Sequence, residues 1–268
     1  MPEKRIFITG GASGLGKAVA MRFAKAGFRV GIGDINDERG SEAESELKAQ
    51  APDAFYLPCD VTDIKDLEHA RQQLEARWGG VDVVVNNAGV GGTAGTLEAV
   101  SLADWQWVID INVMGVVRGC KTFIPLFKRQ GGGHFVNIAS AAGLMNAPFM
   151  SNYNVTKAGV ISLSETLMVE LVDDQITTSV VCPAFFQTNL TENMKSHIGG
   201  MHAKVNKLMS RSKITAEDVA DAIYKAYEKK AFWVVTHPVE RRMWYFKRFM
   251  PNAFTWLMQR HAKKLPPR

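Results

Sequence analysis

Cysteine is scarce in this chain: of 268 residues only Cys59, Cys120 and Cys182 are cysteines, widely spaced and without a C-x-x-C pair. That excludes a disulfide framework and a thiolate zinc site, and it fits a reducing compartment. Long apolar runs are missing too. The longest charge-free stretch, 135–156, is interrupted by asparagines, serines and Pro148, which makes it unfit to cross hydrocarbon. Ile6-Phe7-Ile8, the first apolar run, is too short for a signal-peptide core, so a cytoplasmic protein is expected. The six histidines have no ligand-like spacing with Cys, Asp or Glu, and no metal is expected. Repeats, low-complexity tracts and linkers are also absent from the first 235 residues, which argues for one domain over 1–238.

What is present is an ordinary globular composition, 46% hydrophobic and 22% charged. The net charge of +5 is unevenly placed. Residues 240–268 hold eight basic side chains and one acidic one, leaving 24 basic and 26 acidic in the rest. The basic character therefore belongs to a tail, and the body gives no reason to expect nucleic acid.

Short β-branched runs at 5–9, 29–33, 54–57, 81–85, 134–138 and 177–181 alternate with stretches of helical spacing at 14–27, 37–51, 63–78, 102–129, 151–172 and 215–230. Thr62-Asp63, Ser101 and Thr215 supply capping oxygens, and Gly79-Gly80 and Gly131-Gly132-Gly133 supply breaks. Strands separated by a helix each time cannot form hairpins. They predict a doubly wound, Rossmann-type parallel α/β sheet of about seven strands, helices on both faces, closed by a strand near 232–235.

Between the first strand and helix stands Thr9-Gly10-Gly11-Ala12-Ser13-Gly14-Leu15-Gly16. Glycines there permit a tight turn that aims backbone N–H groups and the helix N-terminus at a dinucleotide pyrophosphate. Gly11, Gly16 and Lys17 also meet the P-loop spacing, but Ala18 lacks the hydroxyl that magnesium needs. Asp34, about 20 residues on, suits a ribose hydroxyl and repels a 2′-phosphate. With Ser13 and Ile35 neutral beside it, NAD is expected over NADP; a solvated turn aspartate is the plainer alternative.

The glycine turn, Asn86-Asn87-Ala88-Gly89, Ser140 and Tyr153-Asn154-Val155-Thr156-Lys157 occur in an order that closely resembles the short-chain dehydrogenase/reductase family. The resemblance runs over about 4–235. It implies that Asp60 and Val61 flank the adenine, that Asn87, Ala88 and Gly89 border the cofactor, and that Asn112, Ser140, Tyr153 and Lys157 form a catalytic tetrad in which Asn112 holds a water. It further implies that Pro183, Phe186 and Thr188 lie against the nicotinamide, although Ala184 replaces the family's glycine, and that the protein is a homodimer or homotetramer.

The chemistry suits these residue types. A phenol has an ordinary pKa near 10, so acting as a base near neutrality requires a neighbouring cation. Tyr153 and Lys157 lie one helical turn apart, on one face. Ser140 can donate to a developing oxyanion. Taken singly, such a Tyr/Lys pair also describes a solvent-facing helix, and such a serine a turn cap.

Val90, Leu144, Met145, Phe149, Phe185 and Phe186 are expected at an apolar substrate mouth, with 187–213 as a lid. Met194, Ile198, Met201, Val205, Leu208 and Met209 give that lid amphipathic spacing, though packing on the core would use the same pattern. A lipophilic alcohol or ketone follows. The rival functions are an NADP-dependent carbonyl reductase and a non-catalytic NAD-binding regulator. For the aromatic, basic extension 239–268, divided by Pro251, three readings compete: packing on the body or a sister subunit, lying on an anionic membrane surface, and touching nucleic acid.

Overall fold

In a computed structural model that describes residues 3–262, the short branched runs pair side by side rather than as hairpins. The first half is β1 (Arg5–Thr9), α1 (Gly14–Lys25), β2 (Arg29–Asp34), α2 (Asp37–Lys48), β3 (Phe55–Pro58), α3 (Ile64–Trp78), β4 (Val83–Asn86), β5 (Thr93–Ala94), α4 (Leu102–Ile109) and α5 (Gly115–Gln130). Then come β6 (Gly133–Ile138), α6 (Ala141–Met145), α7 (Ser151–Glu170), β7 (Ile176–Val181), β8 (Lys195–Ser196), α8 (Met201–Ser210), α9 (Ala216–Lys229), β9 (Trp233–Val234), α10 (Pro238–Phe249) and α11 (Pro251–Ala262).

Seven parallel strands form one sheet in the order β3-β2-β1-β4-β6-β7-β9, the doubly wound arrangement expected. The chain reverses its direction of travel across the sheet between β1 and β4, and the crevice beyond their carboxyl ends is where such folds bind ligands. Successive residues of β1 face opposite layers: Ile6 and Ile8 join Val19, Phe23 and Ile223 on one side, and Phe7 joins Leu67, Phe123 and Phe127 on the other. This is the alternation of a strand buried on both faces.

Helix ends follow the local chemistry. Ser101 accepts from the Asp104 N–H at 3.1 Å, Thr215 and Asp218 form a reciprocal capping box, and Gly79 and Gly131 end helices in the left-handed region at φ +73° and +81°.

Several elements differ from the expectation. The helix predicted over 102–129 is broken by a π turn at Asp110–Met114, which carries Asn112. A two-residue parallel pairing of β5 with β8, Thr93 to Lys195 and Ala94 to Ser196, ties residues 195–196 to the body and carries no periodic signal at that length. The tail is no loose appendix. Trp244 packs 4.7 Å from Trp233, Phe254 is buried, and Lys247 Nζ donates to the Leu144 carbonyl at 2.6 Å.

Inside the sheet a polar chain runs from β4 to α7: Asn86 Nδ2 donates to Asn137 Oδ1 at 2.8 Å, Asn137 Nδ2 to Ser164 Oγ at 3.0 Å, and Ser164 to the Val160 carbonyl at 2.7 Å. A second buried polar group, His134 on β6, has its ring nitrogens at Thr177 Oγ1 and Ser179 Oγ, 2.6 and 3.1 Å away.

Burial, with a smaller contribution from Lys230, brings His134 down to about 4. As pH falls from 6.5 towards 4 the unfolded chain binds a proton that the folded chain refuses, so stability is lost over that window, by roughly 3 kcal/mol in full. Urea midpoints measured across it are expected to fall in the parent and to fall distinctly less in His134→Gln; identical slopes would contradict this.

Candidate active site

The turn after β1 keeps its shape through glycine. Gly10 and Gly14 have φ of +63° and +51°, and a Cβ at Gly16 would lie 2.0 Å from the Gly10 carbonyl oxygen. Asn87 Nδ2 donates to the carbonyls of Thr9 and Gly10 at 3.0 and 2.9 Å, while Thr9 Oγ1 accepts from the N–H groups of Asn87 and Ala88. Turn and β4 loop are thus one unit. Ser13 stands at the N-cap of α1 without a side-chain bond to the helix, leaving its hydroxyl and the positive helix end available to an anion.

This turn opens onto a cavity of about 1110 Å³. Of the residues expected around the cofactor, Gly10, Ser13, Gly14, Leu15, Asp34, Ile35, Asp60, Val61, Asn87, Ala88, Gly89, Tyr153, Lys157, Pro183, Phe186 and Thr188 all border it, as does Ser140. Gly16 does not border it, and its place is in the close packing of the turn. Asp34 sits at the end of β2, its carboxylate accepting from the N–H groups of Ala12 and Asn36, both at 3.1 Å. Beside it stands Arg39, which no sequence motif pointed to, paired with Glu192 at 2.9 Å.

Further in, β6 delivers Ser140 and α7 delivers Tyr153 and Lys157. Ser140 Oγ accepts from the Ala142 N–H at 3.1 Å and donates to the Pro183 carbonyl at 3.3 Å. Lys157 Nζ donates to the Ile138 carbonyl at 2.9 Å and lies 5.7 Å from the centre of the Tyr153 ring. Burial lowers Lys157 to about 8, so it stays protonated at neutral pH. Burial also raises Tyr153 to about 12, with the Ser140 hydroxyl pulling the other way. Desolvation is thus the larger influence on the phenol, and the ammonium beside it is engaged by the Ile138 carbonyl.

Asn112 does not border the cavity. It is fully buried, its amide pairing with both backbone groups of Val90 at 2.8 and 2.9 Å and with Thr156 Oγ1 at 3.2 Å. Of the mouth residues, Val90, Met145, Phe149, Phe185 and Phe186 border the cavity, whereas Leu144 belongs to the core. Within 187–213, Met194, Met201, Val205, Leu208 and Met209 border it; Ile198 does not.

Two features escaped the sequence. His237, at the N-cap of α10, accepts from the Ala184 N–H at its Nδ1 at 3.2 Å, and its Nε2 lies 3.1 Å from the Phe185 carbonyl. It clamps the stretch in which alanine replaces the expected glycine. The inward side of the tail also completes the cavity wall through Glu240, Met243, Phe254 and Met258. A histidine 53 residues from its partner and a tail composition dominated by aromatics gave no local cue to either.

Known proteins share this fold. Residues 4–199 match the short chain dehydrogenase family. A probable oxidoreductase EphD of Mycobacterium tuberculosis is 30% identical over 257 residues, 92% of this chain, but the chain spans only 43% of that relative's length. A 3beta-hydroxysteroid dehydrogenase of Mediterraneibacter gnavus is 32% identical over 203 residues, 76% of this chain and 73% of the relative. A short-chain dehydrogenase/reductase of Burkholderia phymatum, solved in complex with NAD, superposes with a TM-score of 0.87 at 27% identity, covering 99% of this chain and 97% of the other. With the glycine turn, the Tyr/Lys helix and the seven-stranded sheet in one frame, the chain belongs to the short-chain dehydrogenase/reductase family.

Proposed function

We propose that this protein is an NAD-dependent oxidoreductase of a lipophilic secondary alcohol or its ketone, with Tyr153 as general acid and base. One observation carries the reading: a single cavity runs from the glycine turn and Asp34, past Ser140, Tyr153 and Lys157, to a wall of methionine and phenylalanine. The residues present fit a dinucleotide. Gly14 leaves open the space a pyrophosphate needs, since a Cβ there would stand in the cavity with nothing nearer than Thr188 at 3.7 Å.

When bound, the nicotinamide supplies or accepts the hydride. The chain's own residues handle the proton and the geometry. Tyr153 gives a proton to the carbonyl oxygen in reduction and takes it from the hydroxyl in oxidation. Its raised pKa in the buried site suits the donor role at neutral pH. Ser140, whose bond to Pro183 is long, can turn its hydroxyl towards the substrate oxygen as negative charge develops there. Lys157 stabilises the phenolate left by proton transfer. Asn112 acts as a positioning residue, holding Val90 beside the cavity. The segment 187–213 serves as lid over the substrate. Cys59, Cys120 and Cys182 are buried thiols pushed up to about 12 by burial, which keeps them protonated and out of the proposed chemistry. The homodimer or homotetramer implied by the family resemblance belongs to the same proposal.

Turnover of a chain-length series of alcohols and ketones, followed by nicotinamide absorbance with NAD and NADP in parallel, tests this reading. Tyr153→Phe is expected to lose at least about a thousandfold in kcat with NAD affinity retained; a loss under tenfold on a turned-over substrate would remove the proton role. Asp34→Ala is expected to raise NADP affinity relative to NAD by roughly fivefold to a thousandfold, the span of one charge repulsion between exposed and half-buried sites. An unchanged ratio would assign specificity elsewhere. His237→Ala leaves the Ala184 N–H without its partner, and a cost of about 1–3 kcal/mol in unfolding free energy together with a higher KM for the dinucleotide is expected. Parent-like values of both would show the clamp to be idle.

A further inference from the structure

Helices α10 and α11 have two working faces. The inner face, with Met243, Phe254 and Met258, closes the cavity and is pinned to the body by the Lys247 bond to Leu144. The outer face is different in kind. On α10 Arg241, Arg242, Tyr245, Arg248 and Phe249 are exposed at helical spacing, Phe249 by 76%. On α11 Trp256 is 59% exposed, with the Arg260 guanidinium 5.4 Å from its ring centre. The only acidic residue of the two helices, Glu240, borders the cavity.

We propose that this outer face docks on an anionic phospholipid surface, and that the cavity between α8 and the helix pair is loaded from that surface. Guanidinium groups reach lipid phosphates while Phe249, Met250 and Trp256 lose water at the headgroup boundary, a combination suited to helices lying in the interface. No helix among the described residues is long and apolar enough to cross a membrane, so contact is peripheral. A second copy is the poorer occupant, because a two-fold contact through this face would set its arginines against their own equivalents. Nucleic acid would engage the arginines and leave the large apolar groups in water. The loading step rests on the lipophilic-substrate reading above; the docking does not.

The test is co-sedimentation of the full chain with vesicles of phosphatidylglycerol and phosphatidylcholine, against phosphatidylcholine alone. Binding to the anionic vesicles that weakens with salt is expected. At about fivefold per cation, the triple variant R242Q/R248Q/R260Q is expected to lose roughly a hundredfold in partition, with unchanged turnover of a short, water-soluble alcohol. Phe249→Ser is expected to weaken binding at every salt concentration. Equal binding to both vesicle types, or full binding by the triple variant, overturns the proposal. So does a lipid-free dimer that the triple variant dissociates, which would assign the face to a second copy. Vesicle binding without turnover of any alcohol or ketone would leave docking in place and remove the proposed reaction; turnover without vesicle binding would do the reverse.

Discussion

A buried ammonium bonded to a strand-end carbonyl holds the site together. Lys157 is almost without solvent, and a charge in that position must be hydrogen-bonded to be tolerated, so its 2.9 Å bond to the Ile138 carbonyl fixes α7 against the end of β6. Ser140 lies two residues beyond Ile138 and Tyr153 one turn before Lys157, so one bond sets the distance between both hydroxyls. The Asn86–Asn137–Ser164 chain repeats the constraint one layer deeper. Both are polar bonds inside an apolar sheet, where a slip of register would strand unsatisfied groups.

The cofactor end is organised by backbone rather than charge. Asn87 bonds to two carbonyls of the glycine turn, so β1 and β4 present a single edge at the point where the sheet reverses direction. His237 likewise ties down residues 184–185, where it occupies one backbone donor and one backbone acceptor. The helix that carries it continues into the substrate wall. Residues 184–185, the cavity wall and the outer face of α10 are therefore linked through one helix.

Burial works against ionisation at the centre of the site. It lowers the ammonium and raises the phenol, keeping Lys157 charged and Tyr153 protonated near neutrality. In the proposed reaction, a protonated phenol beside a cation would give its proton to an oxygen that gains negative charge, in surroundings where low dielectric strengthens such interactions.

Much of this was legible in the amino-acid order. The β-α rhythm shows because a strand buried on both faces must be apolar throughout and a helix must be apolar on one side; the runs at 5–9 and 177–181 and the caps at Ser101 and Thr215 declare themselves locally. The Tyr153/Lys157 spacing shows for the same reason, since one helical turn is a sequence distance. Tertiary structure decided the rest. The π turn at Asn112, the β5–β8 pairing, the Arg39–Glu192 bridge, the His237 clamp and the inward side of the tail all depend on groups 22 to 153 residues apart or on a backbone adjustment that packing imposes. Leu144 shows the limit most plainly: its side chain turned to the core because α7 and the tail close over α6, and no periodicity within five residues of helix could carry that information.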